Sequence, residues 1–207
     1  LAALGLAVER VDGANRYDTA RLIARLVAPL GTEQVVLASG TSFADALAIS
    51  AFAAQNHWPV LLTSPGTLSK ETNKALADLG VKEVLLLGGQ AAISQKVENG
   101  LRAKKLDTWR IGGKNRYETS VAVAEELGNI YSHLYVTTGE EYADALTGAV
   151  LAAKRGTGLI LVKGNGLPDV VDAFLRQHPL MKMDILGGQE AVSPKVEQAL
   201  KKRLVRY

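Results

Sequence analysis

The stretch Arg110-Ile-Gly-Gly-Lys-Asn-Arg-Tyr-Glu-Thr119 has a counterpart 100 positions earlier, Arg10-Val-Asp-Gly-Ala-Asn-Arg-Tyr-Asp-Thr19. A self-match at fixed spacing constrains architecture more than any local signal, because it makes the chain a set of copies of one unit. The match continues at an offset of 99: Gly40-Thr-Ser-Phe-Ala-Asp-Ala-Leu47 with Gly139-Glu-Glu-Tyr-Ala-Asp-Ala-Leu146, Pro59-Val-Leu-Leu62 with Gly158-Leu-Ile-Leu161, and Leu87-Gly-Gly-Gln-Ala-Ala-Ile-Ser94 with Leu186-Gly-Gly-Gln-Glu-Ala-Val-Ser193. Two modules follow, at 10–108 and 109–207. Residues 1–9 stand where Leu101–Trp109 stands before the second box, so they read as the tail of a preceding module.

Within each module helical and strand patterns alternate. Residues 16–27 carry the apolar spacing of an amphipathic helix. Residues 34–39 form a short valine-rich run, the pattern of a strand buried on both faces. Helices at 44–56, 69–79 and 95–104 then alternate with strands at 60–63, 83–87 and 108–111, with Ser69 and Ser94 as N-caps. In the second copy Pro194 follows the cap Ser193, a favoured first helical position. Such alternation means parallel strands with right-handed crossovers. The fold class is α/β: two similar tandem modules, each a small parallel sheet of about four strands flanked by helices.

The helices at Ala44–Ala54 and Ala143–Ala153 are apolar almost all round, which predicts burial on both sides, one of them against a neighbouring module. A chain lacking that neighbour would leave apolar surface open.

The repeated boxes all follow strands, so they gather at one sheet edge, where open α/β sheets bind ligands. The repeated polar set is Asn15, Arg16, Tyr17, Asp45 and Gln90, with Asn115, Arg116, Tyr117, Asp144 and Gln189. These are candidates for polymer binding or for contacts between modules. Asn15 and Asn115 also suit N-caps, with Asp18 and Glu118 placed as in a capping box, and Ser42 with Asp45 makes another such pair. Capping does not call for Arg16 and Arg116. A guanidinium fork suits a carboxylate or phosphate, so either a ligand or an Arg–Asp bridge accounts for them. Backbone N–H groups at the helix starts would also favour an anion.

Nothing repeated suits catalysis. His57, His133 and His178 stand at non-equivalent positions. No G-x-G-x-x-G, phosphate loop or nucleophile elbow is present. The sequence calls for no cofactor and no metal, and without cysteine it has no disulfide or thiolate site. No apolar run reaches the ~20 residues of a membrane span. A net charge of +3 allows an anionic partner. The basic residues Arg102, Lys104, Lys105, Lys201, Lys202 and Arg203 lie at helix ends, where they complement the dipole, so they do not make a nucleic-acid face.

Together, Arg10–Thr19, Ala38-Ser-Gly-Thr-Ser-Phe-Ala-Asp-Ala-Leu47, Trp58-Pro-Val-Leu-Leu-Thr63, Leu87-Gly-Gly-Gln90 and their second copies resemble the cell wall binding repeat 2 family of Gram-positive surface proteins. The resemblance covers both modules. It implies a secreted protein at the cell wall or cell surface, S-layer associated in some members. Three modules would pack about a pseudo-threefold axis and anchor the protein non-covalently to an anionic wall polymer. Any enzymatic activity, such as an amidase or protease, would belong to a separate effector domain. Two competing readings are a structural module that packs with a further module or effector, and a nucleotide-using α/β enzyme.

Overall fold

The computed structural model describes residues 4–127 and 133–205. The first half runs α1 (Arg16–Val27), β1 (Gln34–Ser39), α2 (Ala44–Gln55), β2 (Val60–Thr63), α3 (Lys70–Asp78), β3 (Glu83–Leu87), α4 (Gln95–Arg102) and β4 (Asp107–Ile111). The second runs α5 (Arg116–Glu126), β5 (His133–Thr138), α6 (Ala143–Arg155), β6 (Leu159–Val162), α7 (Asp169–Gln177), β7 (Lys182–Leu186) and α8 (Pro194–Lys201). The strand orders are β2-β1-β3-β4 and β6-β5-β7, all parallel. The two halves thus share one topology, as the constant offset predicts.

Two details of the sheets differ from expectation. The second sheet has three strands among the described residues, and the position equivalent to Asp107 is Arg206, outside them. The boundary expected between residues 108 and 109 falls inside β4. That strand pairs with β3, Leu85 opposite Trp109 and Leu87 opposite Ile111, and so belongs to the first sheet.

Helix starts follow the capping chemistry in the repeated boxes. The Asn15 side chain accepts from the N–H groups of Tyr17 and Asp18, and Asn115 from those of Tyr117 and Glu118. Ser69 accepts from Thr72 N–H and Ser94 from Val97 N–H. Each such cap contributes about 1 kcal/mol. The carboxylates of Asp18 and Glu118 reach Ala14 and Lys114 N–H, one residue before the cap. The pair Ser42–Asp45 does not cap: the N-cap of α2 is Phe43, with no side-chain bond. Asp45 faces another way, described below.

One face of the first sheet packs Val35, Leu37 and Leu86 on Ala24, Leu76 and Leu101 of α1, α3 and α4. The other packs Val36, Ala38 and Leu87 on Ile49 and Ala53 of α2 and on Val123 of α5. The second sheet repeats this, with Leu134, Val136 and Ile160 on Phe174 and Val196. Its remaining face meets α6 and α2 together, through Tyr135, Leu159, Ala145, Ala149, Leu47 and Ala51. So α2 is buried on both sides, as its uniform apolarity predicts, and small residues let it approach α6. Gln55 adds a bond across the junction, Nε2 to the Thr157 carbonyl at 3.0 Å. The equivalent α6 packs on its own sheet and on α2, but Leu146 and Val150 on its outer side are exposed, so the all-round burial expected of it is not seen.

Candidate functional site

The carboxyl ends of β1, β3 and β4 bring the turns at Gly40–Ser42, Gly88–Gly89 and Gly113–Arg116 to one place, where the first sheet meets the start of α5. Between them lies a cleft of about 330 Å³ whose polar lining includes Ser39, Thr41, Ser42, Asp45, Lys114 and Arg116. It is a junction site: β4 leads into it from the first sheet and α5 leads out into the second.

The repeated arginines hold backbone rather than carboxylates. Arg16 Nη1 donates to the Gly40 carbonyl at 2.5 Å, and Arg116 Nη1 donates to the equivalent Gly139 carbonyl. Each ties the start of its helix to the turn after the next strand of its own module, satisfying a carbonyl that has run past the sheet ladder. The expected Arg–Asp bridge is absent among the described ion pairs. Arg116 has a second role at the junction: its guanidinium carbon lies 5.7 Å from the Phe43 ring centroid, a cation–π contact. Phe43 in turn meets Tyr142 edge-on at 5.8 Å. Arg16 has the equivalent carbonyl partner but is exposed.

Asp45 sits beneath this arginine. Burial raises its carboxyl above the usual range, and the Thr119 hydroxyl and Arg116 charge act against that rise. Thr119 is buried; its hydroxyl also accepts from Gly113 N–H at 3.2 Å. It therefore links the first module's α2 to the turn that opens the second module. Gly88 is required under Asp45: its φ is 92°, and a Cβ there would lie 2.8 Å from the Asp45 carboxylate. Gly187 stands in the same relation to Asp144.

The polar partners of the other candidates lie within their own modules, although Asn115 also lines the junction cleft and the Tyr117 ring packs against the cluster that holds Leu47 and Ala51. The Tyr17 hydroxyl meets Ser64 at 3.1 Å, and Lys163 lies 5.9 Å above the Tyr117 ring. Asn15 and Asn115 cap helices and also reach Glu71 and Glu118. Gln90 bonds Gln95, and Gln189 is exposed beside β7. The first amides of α5 are taken by Asn115, and Lys114 N–H by Glu118. These amides are therefore already partnered and do not face the cleft as free donors. At the second module's edge Glu140 and Glu141 replace Thr41 and Ser42, and Glu140 bonds Gly164 N–H. Sequence reasoning passed over Thr119 and Lys114, although both lie inside the repeated box.

The model of cell wall binding domain 2 matches residues 10–98 and 110–197, one match to each half. The chain belongs to this family. It is 34% identical over 203 residues to the N-acetylmuramoyl-L-alanine amidase LytC of Bacillus subtilis, covering 98% of this chain and 40% of that protein. It is 31% identical to the amidase enhancer of the same organism, over 94% of this chain and 26% of the relative. Among solved structures, Cwp6 from Clostridium difficile superposes with a TM-score of 0.84 at 27% identity, covering 94% of this chain and 31% of that one. Cwp8 from the same organism gives 0.82 at 26% identity, over 96% and 34%. The chain spans less than half the length of each of these relatives. The family match makes its two halves cell wall binding modules of a cell-surface protein. Among the described residues no helix is long and apolar enough to cross a membrane.

Proposed function

We propose that these modules anchor a secreted protein to an anionic polymer of the wall, and that the junction cleft is a contact point. The observation that carries this is the cleft's make-up: Lys114 and Arg116 supply positive charge beside the hydroxyls of Ser39, Thr41 and Ser42, and the one carboxyl in the lining, Asp45, is held toward its neutral form by burial. Phosphate or carboxylate groups with neighbouring sugar hydroxyls fit such a set. The equivalent turn in the second module, Gly139-Glu-Glu, repels an anion, so the reading puts the polymer at the junction and not at every module edge. Contacts of this kind weaken as salt screens them. Purified walls should pull down the chain at low ionic strength, release it at high salt, and lose it once their anionic polymer is extracted. Lys114→Glu should weaken binding more than Lys201→Glu with Lys202→Glu. Equal binding by extracted walls, or by Lys114→Glu, would refute the site.

A second role, docking of a neighbouring module of the same family, is favoured by a separate observation. Positions buried at the junction have exposed equivalents at both ends of the chain. Leu47 is 6% exposed and its equivalent Leu146 is 53%. Ile111 is 3% exposed and its equivalent Val11 is 37%. Val123 of α5 is buried, whereas Ile23 of α1 is exposed. The outer faces of α6 and α1 are therefore the two halves of one more junction.

A further inference from the structure

The first sheet has a second opening, at the amino ends of its strands and so at the far end from the junction cleft. It is a cleft of about 580 Å³ between the turn that leads into β1 and the turn that leads into β2. Its lining includes Pro29, Leu30, Gln34, Asn56, His57 and Trp58, and no arginine or lysine. Its one carboxylate, Glu33, is paired with Lys82.

Here the two copies part. Asn56, His57 and Trp58 stand where the second copy has Arg155, Gly156 and Thr157. Gly156 turns the chain after α6 at a φ of 67°, as a glycine readily does. His57 holds the same left-handed conformation, at a φ of 55°, with a side chain that this conformation disfavours. Thr157 is buried, and its hydroxyl donates to the His133 carbonyl, drawing the amino ends of β6 and β5 together. Trp58 has no hydroxyl for that bond. Its indole meets Phe52 and Trp109 in T-shaped contacts at 5.6 and 6.3 Å, which fix its plane, and lines the cleft. The His57 ring has no described hydrogen bond, ion pair or ring contact, unlike those of His133 and His178. Asn56 donates to the Phe52 carbonyl at 2.9 Å and Gln34 donates to Glu83 at 2.6 Å, so among the described bonds both amide oxygens stay unused. A strained backbone that gains nothing inside the chain points to a ligand outside it. A preceding module would not cover the place: Arg155 and Gly156 remain exposed although the first module stands before them.

We propose that this cleft binds a short uncharged saccharide, of the acetamido-sugar kind that makes up wall glycan strands. A pyranose ring has an apolar C–H face and a fringe of hydroxyls. The face suits the Trp58 indole with Pro29 and Leu30 nearby, and the fringe meets acceptors on Asn56 and Gln34 and either role on His57. An aromatic wall with a few convergent polar groups is the usual make-up of a small-ligand site. The lack of lining cations sets it apart from the junction cleft, where Lys114 and Arg116 call for an anion. The inference goes beyond anchoring to an anionic polymer and does not depend on it.

The test is calorimetric titration of the 207-residue chain with chitotetraose, a soluble tetramer of N-acetylglucosamine, together with tryptophan fluorescence. The chain has two tryptophans and they are in contact, so a sugar on Trp58 should change the emission saturably. Added salt should leave the affinity within about twofold, since no ion pair is involved. His57→Gly copies the second module and relieves the left-handed strain, so its melting temperature should not fall. Its affinity for chitotetraose should drop all the same, as should that of Asn56→Ala, each by roughly three- to tenfold for one lost hydrogen bond. A loss confined to these two variants supports the proposal. No saturable response by the native chain overturns it, and so do variants that bind as the native chain does. Lys114→Glu weakening chitotetraose as much as they do would place the sugar in the junction cleft and overturn it as well.

Discussion

The repeat supplies its own control for the energetics of the junction. Leu47 and Leu146 occupy equivalent places on α2 and α6, but only Leu47 is covered, lying with Tyr135, Ala145, Ala149 and Leu161. A buried Leu→Ala substitution costs about 2–5 kcal/mol, the lower end where neighbours can close the gap. Here those neighbours are mainly alanines on a facing helix, so we expect about 2–3 kcal/mol for Leu47→Ala. For a chain of this size that lowers the melting temperature by roughly 5–10 °C, at about 2–4 °C per kcal/mol. Leu146→Ala removes exposed surface and should stay within about 0.5 kcal/mol. Thermal unfolding followed by calorimetry and circular dichroism measures both. Equal effects at the two positions would refute the junction as the source of stability. So would a Leu47→Ala that unfolds like the native chain.

Two more predictions concern the site beneath Arg116. Asp45 has a folded pKa above its unfolded value, so its contribution is greatest below the unfolded pKa and is lost as pH rises through the folded one. Asp45→Asn should therefore melt above the native chain near pH 7, and the gap should close as pH falls toward the ordinary carboxyl value of 3.8. A variant that melts lower at pH 7 would mean that the carboxylate charge holds the junction. Gly88→Ala forces a side chain into the left-handed region and against the Asp45 carboxylate. It should cost about 1–3 kcal/mol, and melting of Gly88→Ala alone and together with Asp45→Ala shows whether the clash or the backbone dominates.

Features set by local chemistry were legible in the sequence. The caps at Asn15, Asn115, Ser69 and Ser94 follow from an acceptor placed before a helical run, and the strands from short apolar runs. The double burial of α2 was legible because alanine and serine on every face leave no polar side. What escaped depends on distant partners. Ser42–Asp45 has the spacing of a cap, yet Asp45 reaches Thr119, 74 positions later (119 minus 45), because Gly88 opens space on that side. Arg16 and Arg116 look like ligands for anions, yet a strand-end carbonyl is their nearest acceptor. The strand at 108–111 was legible as the fourth of the first copy, and β4 does pair with β3; the boundary at 108/109 cut through it because the motif spanning Arg110 and Asn115 is continuous across two structural units.

That crossing strand has a consequence for the order in which the chain matures. Synthesis proceeds from the amino terminus, but the first sheet gains its fourth strand only when Ile111 has emerged, and α5 covers its face only after residue 126. Leu47, Ala48 and Ala51 wait longer still, until α6 and β6 are made, as far as Leu161. Until then a nearly finished first unit carries a bare apolar stripe, so the first unit is protected by the one that follows it. A chain halted between the two is the species most exposed to proteases and to clumping.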